Sequence, residues 1–389
     1  MLGQLLVAVL VAGNALAAPA IVEKRQFSAK CTNHRIRKAW HTLSDSEKTA
    51  YLDAELCLMN HPATLGLRGA KTKFDELTSV HIFESEIAHF VGAFLPFHRL
   101  YIHAHDVTLR QLCNYTGPHP YWDETYDSAS FTASSLFSPT LPSFGGNGVG
   151  SSQCIDSGPF ANYRSVLGPG FRYSPNNPKC ITRNINNFTA SGASPEVVNG
   201  CLGQKDWLSF WACAEGRPHG AGHGGVGAEM GNPVSSPGDP VFYLHHAWLD
   251  RLWAQWQDLN PEVRLREMGG NNRMKNGFGQ GPPPGGDGNG GFGGGFPPPG
   301  NGTFPPGFPL PGNGTGGGFP GGGFGGGPGF GTPEDLTRPD DLPEPVVEGD
   351  GGGNETTLGH VLHMHGLIPD ATIGDVMDTR GDLLCFEYD

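Results

Sequence analysis

Three histidines in an apolar stretch have the type and spacing of a metal site. His81, His89 and His98 are eight and nine residues apart, and apolar side chains surround each of them. A neutral imidazole buried among apolar side chains needs a partner for its ring nitrogens. One such histidine could bond to a backbone carbonyl, which is the ordinary structural role. Three on converging helices are better explained by a shared metal ion.

A second group begins with His219 and His223. Their spacing puts both on one helix face, about 5–6 Å apart at Cβ, which suits two ligands of one metal. The pattern is similar to the H-E-x-x-H motif of zinc proteases, but Gly220 stands where that motif has its catalytic glutamate. Downstream, His245 and His246 stand together in DPVFYLHHAWLDRLW. Neighbouring residues on a helix point about 100° apart, so these two cannot both face one interior point.

The set of donor atoms indicates which metal these histidines would bind. Two sets of three imidazoles, without thiolate or carboxylate ligands, suit copper. Zinc could use one such set, but two all-histidine sets in one core predict a dinuclear site. A thiolate zinc site is not expected, because the eight cysteines form no CxxC pair.

Helices must position these histidines. Leu43-Ser44-Asp45-Ser46-Glu47 has the capping box and hydrophobic staple of a helix start, and it predicts a helix through Leu58. The region 117–187 is rich in Gly, Pro, Ser and Asn, so long loops are expected there. Helical periodicity predicts further helices at about Asp75–Phe94, Pro96–Cys113, Ser194–Cys201, Trp207–Cys213 and Pro240–Leu259.

The start of the chain predicts secretion. Residues 1–18 resemble a signal peptide, and residues 19–25, ending in a dibasic pair, resemble a propeptide. No later segment is long and apolar enough to cross a membrane. An extracellular location fits the even number of cysteines, which predicts disulfides whose pairing the sequence leaves open. Five N-x-S/T sequons are compatible with a glycosylated surface; they start at Asn114, Asn187, Asn301, Asn313 and Asn354.

Gly and Pro dominate residues 269–332. Such a composition cannot bury enough apolar surface to offset its ordering entropy. We therefore expect a disordered insertion, either a plain linker or a Gly/Phe tether that binds other surfaces. Residues 333–389 contain Cys385 and are expected to return to the body, so that 26–389 form one domain. The formal net charge of −13 argues against nucleic acid or an anionic membrane as a partner.

Three motifs resemble those of the type-3 copper proteins, the family of tyrosinases, catechol oxidases and hemocyanins. They are FLPFHR at 94–99, DPVFYLHH at 239–246 and DRLW at 250–253. The resemblance covers roughly residues 31–260 and the tail from Thr357. It is greatest to short secreted fungal polyphenol oxidases, which share the histidine spacing and the tail motifs VMDT and LCFEY. It implies a mainly α fold: a four-helix bundle holding a dinuclear copper site, with long loops and a few short strands.

The resemblance also implies which histidines hold two copper ions per chain. The last ligand of the family lies four residues before the Asp of the motif, as His246 lies before Asp250. His246 should therefore face the metal, while His245 turns toward the substrate entrance or to contacts behind the ligands. No ligand is expected at His360, His363 or His365. By motif position, the first copper would be bound by His81, His89 and His98, and the second by His219, His223 and His246.

The activity implied by the resemblance is oxidation of o-diphenols to o-quinones by dioxygen, with o-aminophenols or monophenols as further small phenolic substrates. In tyrosinases a glutamate, here Glu215, and an Asn orient a water that deprotonates monophenols. Gly220 replaces that Asn, which favours o-diphenols. Phe242, with His245 and Gly220, would border the substrate, although core packing is an equal interpretation for Phe242.

Two further features follow from the comparison with the family. Ile87 replaces a cysteine that forms a thioether to the second histidine ligand in many members. Asp250 and Arg251 would support the ligand histidines from behind, or form a surface ion pair.

Three other functions stay open. One is a tyrosinase with full monophenol hydroxylase activity. Another is a hemocyanin-like protein that binds dioxygen without turnover, against which a small secreted domain with a propeptide argues. The third is a structural cell-wall protein in which the Gly/Pro tract is the functional part.

Overall fold

The structure is a computed structural model that describes residues 31–140, 142–274, 277–278, 332 and 334–389. The predicted signal peptide and propeptide lie outside the described residues. So do most of the Gly/Pro-rich tract and the sequons at Asn301 and Asn313.

Helices dominate the described part of the chain, which confirms the predicted mainly α class. The helices are α1 Asp45–Asn60, α2 Lys73–Ala88, α3 Phe94–Cys113, α4 Glu124–Asp127, α5 Pro195–Leu202, α6 Trp207–Ala214, α7 Gly220–Val226, α8 Val241–Asp258, α9 Pro261–Arg264 and α10 Ile373–Val376.

Local capping explains where several of these helices begin. Ser44 caps α1 and forms the predicted reciprocal box with Glu47. Thr72 and Asp75 form the same box at the start of α2, so that helix begins slightly before the predicted residue. Ser194 accepts a hydrogen bond from the backbone of α5, whose first residue is a proline.

The predicted helix from Asp75 to Phe94 is wrong at its end, because α2 stops at Ala88 and His89 lies in a loop. Phe90 has a φ of 55°, and its N–H donates to the Glu215 carboxylate at 2.6 Å. Two residues further along this loop, the N–H of Gly92 donates to the backbone carbonyl of Asn271. These partners are distant in sequence, so no local signal reveals that they replace the helical bonds.

Four helical segments surround the histidines, which confirms the predicted bundle. They are α2, α3, α8 and a rod made of α6, a π-helical turn at Glu215–His219, and α7. Helices α3 and α8 pack side by side, with Tyr101 stacked on Tyr243 at 5.9 Å between ring centroids. Their inward faces join one buried apolar core that includes Phe94 and Leu244.

The strands are short, and one small sheet ties the two ends of the described chain together. Its order is β2-β1-β7, all parallel, with Arg35 paired to Phe386 and Lys38 to Pro120. The strands are β1 Arg35–Ala39, β2 Pro120–Tyr121, β3 Gly148–Val149, β4 Cys154–Ile155, β5 Val361–Leu362, β6 Ala371–Thr372 and β7 Phe386–Tyr388.

All eight cysteines form disulfides, as predicted from their even number. The pairs are Cys31–Cys385, Cys57–Cys113, Cys154–Cys180 and Cys201–Cys213. The first pair fixes β7 beside β1 at the two termini of the described chain. Among the described helices, none has the length and apolarity needed to span a bilayer.

Candidate metal centre

The first histidine cluster comprises His81 on α2, His89 in the loop after it, and His98 on α3. All three side chains are buried. The Nε2 atoms of His81 and His98 are 3.4 Å apart, and the His89 ring centroid lies 5.1 Å from each of the other two. One ring nitrogen from each lies within 4.8 Å of the others. The structure thus brings together the three residues that the spacing singles out.

The second histidine cluster comprises His219 at the end of the π-helical turn, His223 on α7, and His246 on α8. The Nε2 atoms of His223 and His246 are 3.2 Å apart, and the rings of His219 and His223 are 4.5 Å apart. His245 lies in the same group, with one nitrogen of each of the four histidines within 4.8 Å of the rest. His245 and His246 therefore both lie at this cluster, although they are adjacent residues of α8 and were expected to point in different directions.

The two clusters adjoin. His98 and His246 stack in parallel, with ring centroids 4.0 Å apart, and His89 lies 6.2 Å from His219. A metal bound in one cluster would therefore lie beside a metal bound in the other, which is the arrangement of a dinuclear centre.

Hydrogen bonds orient five of the six rings in the same way. In each of these five, Nδ1 bonds to a backbone carbonyl, which leaves Nε2 to face the cluster. The acceptors are Val234 for His81, Ser85 for His89, Phe94 for His98, Glu215 for His219 and Met230 for His223. His219 Nε2 and His246 Nδ1 are buried without a partner among the described residues.

The electrostatics favour metal binding. Burial lowers the pKa of His89 to about 4 and of His223 to about 3, and it lowers the pKa of the other four well below the ordinary value. All six imidazoles are therefore neutral at pH 7, with lone pairs available. An all-imidazole set with buried, unpartnered nitrogens fits a pair of copper ions.

Glu215 lies between the clusters. One oxygen accepts from the backbone of Phe90, directly after His89, and the other from Trp211 Nε1, both at 2.6 Å. Burial raises the pKa of this carboxyl to about 8. Below about pH 8 this carboxyl therefore holds a proton, so it can donate one O–H to a water or substrate oxygen and accept through its remaining lone pairs.

Phe242, Gly220 and His245, which were expected to border the substrate, lie at three different positions around the clusters. The fully buried Phe242 ring lies 4.1 Å from His246 and 5.1 Å from His81, so it packs between the clusters. Gly220 follows His219 at the start of α7 and is partly buried. His245 turns to the Glu124 carboxylate, which accepts its Nδ1–H.

Asp250 and Arg251 do not take the expected position behind the ligands. In the described contacts, Asp250 bonds to Arg99 and to the Tyr388 hydroxyl and lies 3.5 Å from Arg37. Arg251 lies over the Tyr121 ring near the surface. Asp250 thus joins α8 to α3 through Arg99, to β1 through Arg37 and to β7 through Tyr388.

Three residues near the clusters carry no recognisable signal in the sequence. Glu124 bonds to His245 across 121 positions of sequence. Gly222 has no room for a Cβ, which would overlap the His245 ring and the Glu124 carboxylate. The Phe278 ring lies 5.8 Å from His89, although it belongs to the tract predicted to be a disordered insertion.

The tail histidines bond to carboxylates. His363 contacts Asp370 at 3.0 Å, His365 contacts Glu84 at 2.6 Å, and His360 contacts Asp350 at 2.6 Å. These pairs attach the C-terminal segment to itself and to α2.

Comparison with known proteins places this centre in context. The family model for the common central domain of tyrosinase matches residues 71–259. The chain is 33% identical over 261 residues to the tyrosinase-like protein phomQ1 of Diaporthe leptostromiformis, covering 62% of this chain and 66%, just under two thirds, of that relative. It is 32% identical over 254 residues to the tyrosinase ustQ of Aspergillus flavus, covering 62% of this chain and 68% of that one.

A solved structure is similar over nearly the whole length. A variant polyphenol oxidase from Thermothelomyces thermophila superposes with a TM-score of 0.65 at 25% identity, covering 92% of this chain and 90% of that one.

Proposed function

The chain belongs to the tyrosinase family of type-3 copper proteins, and on that premise we propose that it is a secreted polyphenol oxidase acting on o-diphenols. The reaction takes two electrons and two protons from each of two catechols and reduces one dioxygen to two waters. The observation that carries the proposal is the pair of adjoining, neutral, all-imidazole clusters. Four disulfides support an oxidising, extracellular location.

The histidines would hold one copper ion in each cluster. His81, His89 and His98 form the first ligand set, and His219, His223 and His246 form the second. When bound, the copper pair supplies dioxygen binding and electron transfer. The carbonyl bonds to Nδ1 fix the ring orientations before metal binding, and Phe242 fills the space between the sets and excludes water from it.

Phe278 and Glu215 act on the substrate side in this proposal. The Phe278 ring beside His89 gives a phenolic ring an aromatic surface to contact. Glu215 orients a water through its free lone pairs. Gly220 has no side chain that could hold this water together with Glu215. The absence favours o-diphenols over monophenols as substrates, because o-diphenols lose their protons without a bound water.

Oxygen consumption by the copper-loaded protein tests the proposal, with catechol and tyramine measured side by side. We expect rapid uptake with catechol and little with tyramine, and Gly220→Asn should raise the tyramine rate relative to catechol. Turnover of both substrates by the unaltered protein, after a lag with tyramine, would instead indicate a full tyrosinase. No uptake with either, at two coppers per chain, would indicate a hemocyanin-like protein.

A further inference from the structure

His89 differs from the other proposed copper ligands because no helix holds its backbone. The other five lie on helical turns, whereas His89 follows the end of α2 with an extended backbone, φ −124° and ψ 145°. Its Nδ1 bonds to the Ser85 carbonyl at 2.9 Å, which orients the ring. Ile87, two residues earlier, has no side-chain group that could cross-link to that ring. Contacts from other segments must therefore fix the backbone that carries this ligand.

The residue after His89 shows where those contacts are. Phe90 has a φ of 55°, and a bulky residue keeps this left-handed conformation only where its surroundings enforce it. The N–H of Phe90 donates to the Glu215 carboxyl at 2.6 Å, and its carbonyl accepts from Asn271 Nδ2 at 2.9 Å. Two side chains distant in sequence thus hold both backbone polar groups of the residue that follows the ligand.

Asn271 is itself fixed in place. Its backbone carbonyl accepts the N–H of Gly92 at 2.8 Å and the Thr356 hydroxyl at 3.0 Å. Gly92 has no room for a Cβ, which would overlap the Gly269 carbonyl and the Thr356 side chain. Asn271 therefore ties the loop after His89 to the C-terminal segment, although it belongs to the tract predicted to be a disordered insertion.

We propose that Asn271 is a positioning residue for His89 and that copper binding at the first cluster depends on it. The inference rests on the proposed copper binding. The amide of Asn271 donates two hydrogen bonds, to the carbonyls of Phe90 and Arg273, so it holds the loop through the backbone and supplies no ligand. Removing a side chain that orients a metal ligand weakens metal binding about 10- to 100-fold. The Glu215 bond would remain, so we expect the low end of that range.

Copper affinity measured at each cluster separately tests this inference, and it does not depend on activity. His223→Ala disables the second cluster, so one Cu(II) then reports on the first, and His89→Ala does the converse. Asn271→Ala should weaken Cu(II) binding at the first cluster about tenfold, in competition with a chelator, and leave the second within about twofold. Asn271→Asp keeps the shape but turns an oxygen in place of an N–H toward the Phe90 carbonyl, so it should weaken the first cluster at least as much.

Asn272→Ala is the matched control. This neighbour has the same side chain, and its amide also donates two hydrogen bonds, but they go to the Asp350 carboxylate and the Gly353 carbonyl. Among the described contacts, none of its side-chain bonds reaches the loop after His89. The control should leave Cu(II) binding at both clusters within about twofold of the parent.

The outcomes separate this inference from the proposed function. If the Asn271 variants fold, as circular dichroism would show, and bind Cu(II) at the first cluster within about twofold of their parent, Asn271 does not position His89. Equal weakening at both clusters, or failure of both variants to fold, would show that the side chain supports the whole domain instead and would also overturn the inference. If the unaltered protein binds no copper, the proposed function itself fails.

Discussion

Arg99 connects the metal centre to the packing around it. It follows His98 on α3, and its guanidinium is fully buried. It donates to the Asp250 carboxylate and to Gln257 Oε1 on α8, and to the carbonyls of Val376 and Met377 at 3.0 and 2.8 Å. One side chain thus joins α3 and α8, which carry His98 and His246, to the C-terminal segment. Arg99→Met removes these bonds while keeping most of the volume.

The expected loss of stability in Arg99→Met depends on how far the Asp250 carboxylate is left without a charged partner. Breaking a buried ion pair by removing one partner costs about 3–5 kcal/mol. Asp250 retains Arg37 and the Tyr388 hydroxyl, so we expect the low end, about 3 kcal/mol. At about 2.1 cal/mol/K of unfolding entropy per residue, a domain of about 300 residues loses about 1.6 °C per kcal/mol, so the melting temperature should fall by about 5 °C.

Scanning calorimetry of the copper-free protein with its disulfides intact measures this loss. Arg251→Met is the matched control, because that half-buried arginine has only weak contacts among the described residues: a hydrogen bond to the Asp389 carbonyl at 3.4 Å and the Tyr121 ring at 5.1 Å. It should cost under about 1 kcal/mol. The reasoning fails if Arg99→Met melts within about 2 °C of the unaltered protein, or if both variants lose the same stability.

Three further predictions concern pH, substrate and a disulfide. Burial raises the pKa of Glu229 from 4.5 to about 7, so between these values the folded protein keeps a proton that the unfolded chain loses, and stability falls as the pH rises. Glu229→Gln should therefore raise the free energy of unfolding at pH 8 by about 3 kcal/mol. If the difference in unfolding free energy between the variant and the unaltered protein is the same at every pH from 4 to 8, this prediction is wrong. Phe278→Ala should raise the KM for catechol several-fold with little change in kcat, whereas an unchanged KM in steady-state kinetics would remove this residue from the substrate site. Replacing Cys57 and Cys113, which are 56 positions apart, with alanine should lower the free energy of unfolding, measured with denaturant, by about 4 kcal/mol. A loss below about 1 kcal/mol would show that this disulfide does not restrict the conformational entropy of the unfolded chain.

Much of the bundle could be predicted from the sequence because its signals are local. The Ser44 capping box and the apolar period of α8 lie within single elements, and the structure follows both closely. The HxxxH spacing likewise places His219 and His223 at one point, because helical geometry fixes their separation.

The features that the sequence did not reveal depend on contacts between distant segments. The end of α2 at Ala88 is set by partners on Glu215 and Asn271. The bond between Glu124 and His245 spans 121 positions, and neither residue carries a motif that predicts the other. Disulfide pairing was open for the same reason, since eight cysteines allow many combinations.

Dioxygen uptake during a copper titration tests the central claim most directly. With catechol in excess, the rate should rise mainly with the second equivalent of copper and level off at two per chain, because the two histidine clusters must act together. A rate that levels off at one copper per chain, or no uptake at two, would contradict the dinuclear oxidase.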